Sequence, residues 1–166
     1  DPRVLQQADV LLLPGVGAAP DAMRQLQAAG LVEPIRDWIA ADRPFFGVCL
    51  GFQLLFTSSE EGGLCPGLGM LPGSVRRLPP GLKVPHMGWN QVHQRLAHPL
   101  FEGIPDAAYF YFVHSYYPEI EDTSLLAGET EYGLTFASVI IRGNLVATQF
   151  HPEKSGELGL RLYRNF

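Results

Sequence analysis

Apolar residues along this chain gather in short runs punctuated by glycine and proline. Ala8-Asp9-Val10-Leu11-Leu12-Leu13-Pro14 is one such run, closed by Pro-Gly, the pattern of a buried strand that feeds a loop, here Gly15-Val16-Gly17-Ala18-Ala19. The period then lengthens. Met23 and Leu26 within residues 21–30, and Ile35, Trp38 and Ile39 within 33–42, predict two helices, with Asp21 near the first start and Gly30 as its stop. Phe45–Val48 predicts a second buried strand, and residues 50–58 a following helix. Residues 62–85 are rich in Gly and Pro and read as connecting structure with a short strand at 74–78, not as a separate domain. Ala108–His114 is a β-prone aromatic run. Residues 136–142 and 145–150 flank Gly143-Asn144, a two-residue hairpin signal, and 156–166 predicts a closing helix. Strands alternating with helices over this length predict one α/β domain spanning residues 1–166.

The turn between the second strand and its helix is Gly47-Val48-Cys49-Leu50-Gly51. A Gly-x-nucleophile-x-Gly elbow lets the backbone pass closely on both sides and presents the apical side chain. A helix starting at Leu50 would point its positive end at Cys49 and lower the thiol pKa. A thiol nucleophile needs a base, and Gln149-Phe150-His151-Pro152-Glu153-Lys154-Ser155 offers one. Positions i and i+2 of an extended segment share a side, so Glu153 is expected to orient the His151 ring. Cysteine is more often a small core residue than a nucleophile, and an isolated His-Pro-Glu carries little weight. The elbow and the downstream His-x-Glu together point to a Cys-His-Glu triad at the carboxyl ends of strands, where α/β sheets collect functional groups.

Composition narrows the field. The chain has 166 residues, 46% hydrophobic, enough for one sizeable core, and a net charge of −5. Its 12 basic residues form no run, which argues against nucleic acid or an acidic membrane surface as partner. No stretch approaches the roughly 18 apolar residues of a membrane span, and no signal-peptide pattern opens the sequence. Two cysteines, Cys49 and Cys65, fit a reducing cytoplasm. The five histidines are dispersed, and no Cys/His cluster has metal spacing, so neither metal nor cofactor is expected.

Pro14-Gly15-Val16-Gly17, the elbow extended through Phe52-Gln53, and residues 149–155 resemble the class I (triad) glutamine amidotransferases. More narrowly, His86-Met87-Gly88-Trp89-Asn90 with Tyr111-Phe112-Val113-His114-Ser115-Tyr116 resembles the glutaminase subunits of imidazole glycerol phosphate synthases. The resemblance covers essentially the whole chain. It implies a three-layer, flavodoxin-like α/β fold with a mainly parallel central sheet. It implies that L-glutamine is hydrolysed to glutamate and ammonia, and that the ammonia passes to a (β/α)8-barrel cyclase subunit making imidazole glycerol phosphate and AICAR in histidine synthesis. Cys49, His151 and Glu153 would be catalytic, with no cofactor. The oxyanion would be held by backbone N–H groups of Leu50 and of Val16 or Gly17. Gln53, Glu61, Ser115 and Tyr116 would bind glutamine, and Trp89, Tyr111 and Lys154 would face the cyclase. By residue type alone, Gln53 reads equally as helix packing, Glu61 as an exposed acidic turn, Trp89 and Tyr111 as core aromatics. His86 and His114 read as structural or interface residues. Other readings are a different triad amidotransferase, a related cysteine hydrolase, or a non-catalytic binding protein on the same fold. One departure stands out: nothing corresponds to the family's first βα unit of about 30 residues, so the chain is expected to be N-terminally incomplete.

Overall fold

A computed structural model describes residues 2–5 and 7–166. Its helices are α1 (Pro2–Leu5), α2 (Ala19–Ala28), α3 (Val32–Ala40), α4 (Leu50–Gln53) and α5 (Gly156–Asn165). Its strands are β1 (Leu11–Leu13), β2 (Phe45–Val48), β3 (Phe56–Ser59), β4 (Cys65–Pro66), β5 (Leu71–Arg77) and β6 (His86–Gln94). They continue with β7 (Ala108–His114), β8 (Tyr116–Ile120), β9 (Leu126–Glu131), β10 (Thr135–Arg142) and β11 (Leu145–Thr148). Seven of the strands form one sheet in the order β1-β2-β11-β10-β9-β6-β7, and four form a second, β4-β3-β5-β8.

β2 explains the layering. It lies parallel to β1 on one side and to β11 on the other, and all four of its residues are buried. Alternation sends Phe45 into a core shared with Ile35, Trp38 and Ile39 of α3. Phe46 faces the opposite side, where it meets Tyr163 and Phe166 at ring distances of 5.2 and 5.1 Å. Burying each phenylalanine contributes about 1.5–3 kcal/mol, so the pair fixes helices on both faces of the sheet. The Gly143-Asn144 hairpin pairs Arg142 with Leu145, and Asn144 N–H donates to Asp42 Oδ1 at 2.8 Å, latching β11 beside β2.

The large sheet is mixed, not mainly parallel. It is parallel only among β1, β2 and β11; the steps through β10, β9, β6 and β7 are antiparallel. β9, β10 and β11 are joined by short turns, which allow only antiparallel pairing, whereas the parallel pairs of this sheet are closed by long connections, α2 and α3 between β1 and β2 and residues 49–144 between β2 and β11. β1 is also less buried than its apolar run implies, with Leu12 half exposed while Leu11 and Leu13 pack on the core.

The helix after the elbow is a single turn, shorter than the expected 50–58. The carbonyls of Leu54 and Leu55, which would continue it, accept instead from Leu68 N–H at 2.6 Å and Met70 N–H at 2.8 Å. The chain then turns into β3. A continuous apolar run carries no period that separates helix from strand, so long-range pairing decided. Residues 62–85 are likewise more than a connector, since β4 and β5 build the second sheet with β3 and β8. Ser115 is the one residue between β7 in the large sheet and β8 in the small one, placing it and Tyr116 at the corner where the chain changes sheets.

Candidate active site

The elbow is as tight as its glycines imply. Cys49 has φ 52° and ψ −104°, a left-handed conformation rare for a non-glycine residue. A Cβ on Gly51 would lie 1.8 Å from the Leu13 carbonyl oxygen, and one on Gly47 would lie 3.0 Å from Gly51 O. The elbow is therefore pressed against the end of β1, which brings the following loop, Gly15 to Gly17, alongside the thiol. Cys49 N–H donates to Thr148 O at 2.8 Å, tying the turn to β11 as well.

The thiol is not presented to solvent. Cys49 is 8% exposed, its S–H faces Val113 O at 3.8 Å, and the Gln149 amide Nε2 donates towards Sγ at 3.7 Å. Burial pushes its pKa up to about 11, although the Leu50 N–H and the Gln149 amide both favour the thiolate. The expected lowering by a helix N-terminus is thus reversed. One turn of helix sums few peptide dipoles, and desolvation outweighs them. At neutral pH the resting group is a thiol that must hand its proton to a base.

His151 is placed as such a base would be. It is 2% exposed, and its Nδ1 lies 2.7 Å from Glu153 Oε1. A carboxylate only accepts, so Nδ1 carries the hydrogen, and in the neutral ring Nε2 is a free lone pair. That Nε2 is buried without a hydrogen-bond partner. The pairing does not come from extended chain: His151 precedes a 3₁₀ turn, Pro152–Lys154, that folds Glu153 back on the ring. His151 N–H donates to Tyr111 O at 2.9 Å, Ser155 Oγ donates to His151 O at 2.6 Å, and Tyr111 N–H donates to Ser155 Oγ at 3.0 Å. Tyr163 on α5 approaches the Glu153 carboxylate; burial, then the Glu153 charge and its pull on the hydroxyl proton, push the Tyr163 pKa up to about 12.

Cys49, Leu50 and His151 line one cavity of about 310 Å³ with Val16 and Gly17. Gln53, Glu61, Ser115 and Tyr116 line the same cavity, as do Pro85, Val113 and His114. Gln53 is buried, its Nε2 donating to Tyr116 O at 2.9 Å and to Gln149 Oε1 at 3.1 Å. Glu61 is half-buried and accepts from Ala19 N–H at 2.7 Å, satisfying one of the open donors at the start of α2. Val16 is 79% exposed, and Gly17 holds φ +95°. Glu153, Trp89, Tyr111 and Lys154 do not line the cavity. Trp89 and Tyr111 are register partners on β6 and β7 with rings 6.2 Å apart, and Trp89 is 55% exposed, so it is no core aromatic. Lys154 is exposed one residue beyond Glu153.

Sequence reasoning missed Gln149, Ser155 and Tyr163. Gln149 and Ser155 flank His151 within the motif already singled out; Tyr163 carries no local signal, since only the packing of α5 brings it to Glu153. Among the described residues, no three His, Cys, Asp or Glu side chains are grouped to hold a metal, and no helix is long and apolar enough to cross a membrane.

The family model for class-I glutamine amidotransferases matches residues 3–166. The chain belongs to the class I glutamine amidotransferases. Curated relatives of this amidotransferase include the imidazole glycerol phosphate synthase subunit HisH of Dehalococcoides mccartyi strain CBDB1, 53% identical over 166 residues, all of this chain and 81% of that protein. HisH of Moorella thermoacetica is 54% identical over 166 residues, covering 79% of that protein. Solved structures carry the same fold at low identity. A glutamine amidotransferase from Thermotoga maritima superposes with TM-score 0.68 at 20% identity, covering 96% of this chain and 63% of that one. The glutaminase domain of CTPS from Trypanosoma brucei, with bound acivicin, superposes with TM-score 0.64 at 15% identity over 99% of this chain and 73% of that one.

Proposed function

We propose that residues 1–166 form one glutaminase domain of an imidazole glycerol phosphate synthase, hydrolysing L-glutamine at Cys49 and passing ammonia to a (β/α)8-barrel cyclase. The observation that carries the chemistry is the buried, unpartnered Nε2 of His151 in the cavity that holds the Cys49 thiol, with its other nitrogen fixed by Glu153. Identity above 50% to HisH proteins across the whole chain supports the pathway. Two free cysteines support a reducing, cytoplasmic setting.

In this reading, glutamine enters the cavity between Gln53, Glu61, Ser115 and Tyr116. His151 Nε2 takes the Cys49 proton as sulfur attacks the carboxamide carbon, and the C=O electron pair moves onto oxygen. Leu50 N–H and an N–H of Val16 or Gly17 receive that oxyanion. The C–N bond then breaks, with the proton on His151 going to the departing nitrogen to give ammonia. Water adds to the thioester, His151 again taking and returning a proton, and glutamate leaves. Glu153 stabilises the imidazolium at both stages. With the resting thiol pKa near 11, proton transfer is expected to await substrate, which limits idle thiolate chemistry.

Docking is assigned to the β6–β7 face. Met87, Trp89 and Tyr109 are exposed apolar side chains there, and Tyr111 on the same face accepts from His151 N–H through its carbonyl. Lys154 borders it. A contiguous exposed apolar patch marks an interaction surface, and this one is one hydrogen bond from the base.

Cys49→Ala is expected to abolish glutamine-dependent imidazole glycerol phosphate synthesis while ammonia-dependent synthesis by the same complex persists. Equal loss of both in a folded variant would overturn the assignment.

A further inference from the structure

Two buried histidines and a buried glutamine take no part in the steps above, yet they form one connected path. His86 on β6 and His114 on β7 are register partners, both nearly inaccessible, and His86 stacks between Phe112 and Tyr132 at ring distances of 5.0 and 4.0 Å. His114 Nδ1 lies 2.8 Å from Tyr116 O, His86 Nδ1 lies 2.9 Å from His114 Nε2, and Asn90 Nδ2 lies 3.2 Å from His86 Nε2. On the far side of Tyr116 O, Gln53 Nε2 donates to that same carbonyl and to Gln149 Oε1, and Gln149 Nε2 donates to Cys49 Sγ.

Every donor and acceptor on this path is determined. A carbonyl only accepts, so His114 Nδ1 carries a hydrogen and, in the neutral ring, Nε2 accepts. His86 must then donate from Nδ1 and accept at Nε2. Asn90 supplies that donor, its amide orientation being set by Nδ2 donating to Glu131 O at 2.9 Å and Oδ1 accepting from Gln91 N–H at 2.8 Å. The Gln149 amide has one workable orientation as well: reversed, it would set its nitrogen against Gln53 Nε2. Burial keeps both rings neutral at pH 7 by pulling their pKa values down, to about 4 for His86 and about 3 for His114. From Asn90 through His86 and His114 the bonds run one way and polarise one another, and at Tyr116 O they meet a second run, which starts from Gln53 and leads through Gln149 to the sulfur. The shared carbonyl couples the two runs by position, and a half-satisfied network in a low-dielectric interior is costly.

We propose that His86, His114 and Gln149 are positioning residues: the histidine pair fixes the Tyr116 carbonyl and, through it, the Gln53 and Gln149 amides, so that an N–H is held on the Cys49 sulfur. The role in turnover rests on the glutaminase reading; the effect on the thiol does not.

The test reads Cys49 alkylation by iodoacetamide at pH 8, in the full chain with Cys65→Ser so that one thiol remains. Far below its pKa, the thiolate fraction falls tenfold for each unit the pKa rises. Gln149→Leu is expected to slow alkylation about 3- to 10-fold, the worth of one hydrogen bond. Gln149→Glu is expected to slow it further, since it keeps the acceptor for Gln53 but sets a carboxylate against the sulfur. His86→Phe, which keeps the ring stack, is expected to slow it in the same direction and to raise KM for glutamine in the cyclase complex more than it lowers kcat. His86→Asn, which restores a donor towards His114, is expected to recover both. Long-range 1H–15N spectra of histidine-labelled protein at pH 7 are expected to show both rings as Nδ1–H tautomers. Loosened packing acts in the opposite sense, by exposing the thiol. Faster or unchanged alkylation in both Gln149 variants, or an Nε2–H tautomer at either ring, overturns the proposal. Absence of glutamate release from the wild-type complex would instead overturn the glutaminase reading and leave the alkylation and tautomer results standing.

Discussion

His151 and Glu153 are bound through Nδ1 and Oε1 at 2.7 Å by a 3₁₀ turn that Pro152 starts, and Tyr163 reaches the same carboxylate from α5. The ring is thereby gripped on the side away from the unpartnered Nε2, with Ser155 and the Tyr111 carbonyl holding its backbone. Glu153→Ala should release the ring without disturbing the cavity wall, which Glu153 does not line. The expected result is a fall in kcat of about 10²-fold or more, the usual worth of a positioned acid or base, with KM changed little. Steady-state glutaminase kinetics in the cyclase complex check this; a rise in KM at constant kcat would remove Glu153 from the chemistry.

The raised thiol pKa makes stability depend on pH with a definite sign. The folded state holds the Cys49 proton up to about pH 11, the unfolded chain only to about 9. Between these values the unfolded state binds fewer protons, so stability is fully present below pH 9 and falls as pH rises towards 11. At pH 10.5 the loss at this group is about 2 kcal/mol. Urea unfolding of wild type and Cys49→Ala at pH 7.5 and 10.5 isolates it, because other titrating groups are common to both. The gap between the two proteins should shift by about that amount in favour of the alanine variant.

The buried histidines act at the other end of the scale. Their folded pKa values lie below the unfolded value of 6.5, so the stability they contribute is complete above pH 6.5 and is lost as pH falls towards 4 and then 3. His114→Phe should flatten the decline in melting temperature between pH 6.5 and 4. An unchanged acid limb would show that other groups govern it.

Two glycines near the thiol should separate stability from activity. Gly51→Ala drives a Cβ to 1.8 Å from the Leu13 carbonyl, so the elbow or β1 must move; a loss of about 3 kcal/mol or more in chemical denaturation is expected. Gly17 has open space around a Cβ but holds φ +95°, and Gly17→Val should cost about 1–3 kcal/mol in strain while biasing the loop that offers an oxyanion donor. Its signature is a changed kcat in a folded protein. Normal kcat would place the oxyanion donors elsewhere.

On the β6–β7 face, Trp89→Ala is expected to weaken association with the cyclase about 30-fold or more, as loss of a central aromatic anchor does. Lys154→Ala is expected to increase the ammonia lost to solvent per glutamine cleaved. Calorimetric titration and a coupled assay measure these separately, and unchanged values for both would move the docking surface off this face.

Local signals determined a good part of this molecule. β2, β7 and the two-residue turn at Gly143-Asn144 lie where their patterns predict, because burial on both faces, aromatic β propensity and a hairpin turn are properties of four to eight consecutive residues. The glycines of the elbow are there for a reason visible in the motif, since backbone must pass on both sides of Cys49. Tertiary structure alone decided the rest. Whether the run after Leu50 became helix or strand was settled by Leu68 and Met70 taking the carbonyls of Leu54 and Leu55. Whether the sheet ran parallel depended on which strands short turns forced together. The thiol's high pKa came from burial among elements distant in sequence, which outweighs the Leu50 and Gln149 donors, and the further shift of Tyr163 from its approach to Glu153 on the last helix. Each of these rests on atoms brought within a few ångströms from distant parts of the chain, and burial and electrostatics at such points are sums over neighbours that no local pattern contains.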